Sequence, residues 1–106
     1  MAWVALSLAG LFEIVWAFFM KQSEGFTKIT PTIVTFVTMI ASVVLLSFSM
    51  KTLPLGTAYA LWTGIGAIGA FIVGIIFLGE QVSVLRVAAT LLIVLGLLLM
   101  KLSARI

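Results

Sequence analysis

Residues 55–78 read LGTAYALWTGIGAIGAFIVGIIFL, a run without one charged side chain. It exceeds the roughly 20 apolar residues with which a helix crosses about 30 Å of hydrocarbon. The run lacks sustained period-two alternation, and lipid offers no hydrogen-bond partner to an open sheet edge. A membrane-spanning helix is therefore the expected element. The same yardstick finds a run at 31–50 upstream, another at 3–20, and a last one downstream at 84–102. Arg86 and Lys101 lie inside the last run near its two ends, with side chains long enough to snorkel to the two interfaces. The predicted fold class is all-α: four transmembrane helices forming a single domain over residues 1–106.

The punctuation between runs fits this reading. Lys21, Gln22, Ser23, Glu24 and Gly25 close the first, Thr30 as N-cap with Pro31 at N1 opens the second, Pro54 and Gly56 lead into the third, and Gly79, Glu80 and Gln81 end it. Such short connections predict consecutive helices packed as antiparallel neighbours. With 64% hydrophobic and 8% charged residues, the composition excludes an ordinary soluble domain, a catalytic lobe or a polar tail. The absence of Cys, His and Asp removes disulfides, thiolate nucleophiles, zinc sites and imidazole relays, so neither an enzyme nor a cofactor is expected. The net charge of +3 is spread between apolar runs, which points to lipid headgroups and away from nucleic acid. A cleaved signal peptide is not expected, because the first run has no basic leader and carries Glu13 inside it.

Lys and Arg do not choose an orientation. Lys51, Lys101 and Arg105 fall on one face and Lys21, Lys28 and Arg86 on the other, three against three. A small protein can tie by chance; alternatively, the chain inserts both ways up and pairs as an antiparallel homodimer.

Glu13 is the one acid inside any run, at a depth where an ionisable side chain costs roughly 2.5 to 3.5 kcal/mol and is a candidate functional site by default. It is either a structural carboxyl bonded within the bundle or a binding group, and no Lys, Arg or His at membrane depth is available to pair with it. Gly10, Trp16 and Ala17 share its helix face, with Ser7 a turn away. In the second run, Thr35, Thr38, Ser42 and Ser49 form a stripe; Ser42 is the best-placed donor to Glu13, although such hydroxyls also bond their own helix backbone. Tyr59, Trp62 and Thr63 lie together on the third run. The glycines that follow allow either close packing or bending, and a bend at Gly64 and Gly66 is expected. The fourth run has almost no polar atoms and is expected to serve dimerisation.

A buried carboxylate with no protein cation beside it holds either a proton or an external cation, and the two compete. The faces of Trp16, Tyr59 and Trp62 attract a weakly hydrated organic cation. Competition becomes transport when the site faces each side alternately, and four helices are too few to enclose such a path, which argues for at least two copies of the chain.

The stretches Glu-Ile-Val-Trp at 13–16, Lys-Thr-Leu-Pro-Leu-Gly-Thr-Ala-Tyr-Ala at 51–60 and Trp-Thr-Gly-Ile-Gly at 62–66 resemble the small multidrug resistance family over essentially the whole chain. Trp16 and Thr63 resemble its guanidinium-exporter subtype. The resemblance implies an antiparallel, dual-topology homodimer in a bacterial inner membrane, exchanging protons for guanidinium through paired copies of Glu13. It implies that Trp16, Ser42 and Trp62 order Glu13 by hydrogen bonds, that Tyr59 joins this network and the switch between facing states, and that Gly64 to Gly66 is a kink. Gly10 and Thr63 are expected to line the route. Two rival readings remain: the same mechanism with quaternary ammonium cargo, and a structural or assembly subunit in which Glu13 is a tether.

Overall fold

The computed structural model describes residues 1–103 and consists of α1 (Ala2–Gln22), α2 (Ile29–Ser49), α3 (Leu55–Leu78) and α4 (Val84–Ser103). At about 1.5 Å per residue each helix reaches roughly 30 Å or more, enough for hydrocarbon. All four are also apolar enough to span. This is a multi-pass membrane protein. Arg105, counted in the charge comparison above, lies outside the described residues.

The α3 limits follow from backbone chemistry. Pro54 precedes the helix in an extended conformation, and Gly79 ends it in the left-handed region at φ 67°. The Gly79 N–H and the Glu80 N–H both reach back to the Gly74 carbonyl, the latter at 3.1 Å, so the last turn of α3 is closed on one acceptor. At α2 the expectation is corrected: the N-cap is Lys28, without a side-chain cap, and Thr30 and Pro31 are already inside the helix. Proline is tolerated there because the first N–H groups of a helix have no intrahelical partner.

The α1–α2 turn is organised by Ser23, which is fully buried. Its hydroxyl donates to the Met20 carbonyl at 2.7 Å and accepts the Phe26 N–H at 3.1 Å. These bonds hold Glu24, Gly25 and Phe26 at successive positive φ values. Lys28, hydrogen-bonded to Glu24 at 2.6 Å, holds that carboxyl below the usual carboxylate range.

Helix α1 lies between α2 and α3, and the backbone of α4 packs against α3, with a side-chain contact to α1 at its end. The expectation that every consecutive pair would be close neighbours therefore fails at α2 and α3, which meet only narrowly. The described core is small: Leu6, Ala9, Leu46, Leu53, Ala58 and Leu61. The chain measures 43 × 34 × 16 Å, one dimension less than half of either other. It is an open slab whose apolar faces suit lipid or another protein surface. No residue of α4 is buried, and Leu85, Leu92, Leu99 and Leu102 are exposed. Lys101 sits over the Trp3 ring at 5.3 Å, so the start of α1 and the end of α4 share one face of the membrane.

Candidate functional site

Glu13 stands on α1 where α1 meets α3. Its side chain occupies the space over Gly66, and a Cβ added at that glycine would collide with the carboxylate. The seam repeats the device on both sides: Ile65 of α3 fills the space over Gly10, and Ile14 of α1 fills that over Gly69. One step outward, Leu97 of α4 fills the space over Gly64. Small residues thus let neighbouring helices approach closely where no hydrophobic force drives them together. Helix α3 runs unbroken through Gly64 and Gly66, and what those two positions display is close packing. Gly10, expected along the route, is filled by Ile65.

Glu13 Oε1 is buried without a hydrogen-bond partner, and so is Trp16 Nε1. The expected bond between these two side chains is not formed. Nor does Ser42 donate to Glu13. Its single O–H goes to the Ala9 carbonyl on α1 at 2.6 Å, and its oxygen accepts the Trp62 indole N–H at 2.9 Å. Ser42 thereby joins α1, α2 and α3 at one point, one helical turn from Glu13. Its stripe-mates behave differently: Thr35 bonds the Pro31 carbonyl, Thr38 that of Val34 and Ser49 that of Leu46, each on its own helix.

Tyr59 lies beside Trp62, ring centroids 5.6 Å apart, and is 53% exposed. Tyr59 and Thr63 line an apolar groove of about 470 Å³ between α3 and α4 together with Gly64 and Gly96. Sequence reasoning did not single out Ser23, whose role depends on a turn conformation, or the cleft of about 300 Å³ between α1 and α3 that Lys21, Glu80 and Arg86 border. Charges at three separate helix ends gave no signal that they converge.

Four spanning helices with one acid at membrane depth, Glu13, define a multi-pass membrane protein. Residues 1–102 match the Small Multidrug Resistance protein family. The Guanidinium exporter of Escherichia coli (strain K12) is 52% identical over 103 residues, covering 97% of this chain and 98% of that protein. The proteins of the same name from Citrobacter freundii and Salmonella typhimurium are 53% identical over the same lengths. The chain belongs to the small multidrug resistance family.

Proposed function

We propose that this protein exports guanidinium, and small substituted guanidines, in exchange for protons across a bacterial inner membrane. The observation that carries the reading is the buried Glu13 oxygen without a partner, in a chain about half identical to proteins named Guanidinium exporter. A carboxylate in a water-poor seam is stable when it holds a proton or meets a cation. Guanidinium presents parallel N–H donors that engage both carboxylate oxygens at once, a better match than a point charge.

The working unit is an antiparallel homodimer. A flat chain with one dimension of 16 Å has little depth to enclose a path around Glu13, and a second copy would supply an opposing wall. Two copies of Glu13 facing a common space would titrate as a coupled pair. The unsatisfied Trp16 N–H is a donor for that pair or for water carried with the cation. Ser42 and Trp62 fix the position of α1 and so place Glu13 indirectly. Tyr59, with its exposed ring beside Trp62, takes part in the switch between facing states, and Gly64 and Gly66 are the positions at which α3 can bend when Leu97 and Glu13 leave their seats. Thr63 lines the approach beside Tyr59. No covalent chemistry is involved.

Vesicles reconstituted with the full chain and given a proton gradient test the reading. Guanidinium should accumulate against its own gradient, and a quaternary ammonium ion should move more slowly. Absence of guanidinium movement overturns the proposal; faster movement of the quaternary ion transfers it to the rival cargo.

A further inference from the structure

At the membrane face opposite the chain's N-terminus, the cleft of about 300 Å³ opens between α1 and α3. Its walls are apolar, with Ile14, Phe18 and Phe71 among them, while Lys21, Glu80 and Arg86 form its rim. Lys21 and Ile14 are two turns apart on α1, so the cleft runs from headgroup level about 10 Å into the hydrocarbon.

The rim is built by specific backbone features. The left-handed Gly79 and the Glu80-to-Gly74 bond turn the chain back over the end of α3. The Glu80 carboxylate then lies over Gly74, where a Cβ would strike it. Arg86 stands in the first turn of α4, its N–H capped by the Ser83 hydroxyl at 3.2 Å. A cation at a helix N-terminus opposes the helix dipole, so helix stability does not account for an arginine there. Among the described residues the one ion pair is Lys28 with Glu24, and Glu80 is not closed off by Lys21 or Arg86.

We infer that this cleft binds one phospholipid with a primary-amine headgroup. The phosphate lies between Lys21 and Arg86, the ammonium donates to Glu80, and the upper part of an acyl chain enters between α1 and α3. Two cations and one acid around an apolar slot complement a zwitterion carrying an anionic and a cationic end. An anionic headgroup without an amine would leave Glu80 opposed to it, and a fully methylated amine has no N–H to donate. A soluble phosphate would leave the apolar depth unused.

The test is lipid retention by the full chain, purified from vesicles containing equal amounts of phosphatidylethanolamine, its N-monomethyl and N,N-dimethyl derivatives, phosphatidylcholine and phosphatidylglycerol, and measured by native mass spectrometry. The unmodified protein should retain phosphatidylethanolamine severalfold over phosphatidylcholine, with retention falling at each methylation. Glu80→Gln should abolish that preference and Glu80→Asp preserve it in part, while Lys21→Gln with Arg86→Gln should lower retention of both lipids. Equal retention across the methylation series, a preference that survives Glu80→Gln, or enrichment of phosphatidylglycerol alone would overturn the assignment. The methylation series uses the unmodified chain, so the result stands even if a variant misfolds.

Discussion

Two polar points one helical turn apart on α1 show opposite bookkeeping. At Ala9 the carbonyl, the Ser42 hydroxyl and the Trp62 indole form a closed chain of hydrogen bonds of 2.6 and 2.9 Å. At Glu13 a carboxylate oxygen, and three residues on the Trp16 N–H, have none. Hydrocarbon penalises an unsatisfied polar group wherever it lies; the first point holds three helices together, and at the second we propose that an occupant from outside supplies the missing partner. A satisfied and an unsatisfied polar point thus stand one turn apart on a single helix.

Substitutions at each point should behave accordingly. Glu13→Gln should reduce proton-driven cation flux to that of protein-free vesicles while the chain still folds, since the amide retains the shape and loses the charge; preserved flux would favour the assembly-subunit reading. Gly66→Ala comes next. Its methyl group must displace the Glu13 carboxylate, which should cost about 1–3 kcal/mol of stability and most of the flux. Ser42→Ala should lower stability by about 0.5–2 kcal/mol, judged by unfolding in detergent, because it strands the Trp62 N–H. Flux through Ser42→Ala should fall less than through Gly66→Ala, and its dependence on pH should be retained. Gly56→Ala, in the first turn of α3, is the control: nothing lies within 4 Å of the added carbon, and the change should stay within about 0.5 kcal/mol.

The same contrast explains what was legible in the residue order. Charge-free runs and the Pro54 and Gly79 signals define α3 because they report local backbone chemistry, and Glu13 is conspicuous because an acid at membrane depth has few bland explanations. The α2 start is less sharply marked, since proline fits anywhere in a first turn. The partner of Ser42 was not legible at all: a hydroxyl that could reach its own backbone, Glu13 or another helix is decided by the register of α1 against α2, and the accepting Ala9 carbonyl leaves no trace in residue type. Gly64 and Gly66 raise the same difficulty, because the residue that lets a helix bend also lets a neighbour's side chain seat itself. Seat and bend differ only in tertiary context, supplied here by Leu97 and Glu13.

The most direct test of the central claim is the apparent guanidinium affinity of the reconstituted protein measured across a pH series. If proton and cation share the Glu13 carboxylate, affinity should weaken as pH falls through its titration, with a slope approaching about tenfold per pH unit for each proton displaced, and Glu13→Gln should abolish binding. An affinity that stays constant with pH while the protein remains folded would contradict the account.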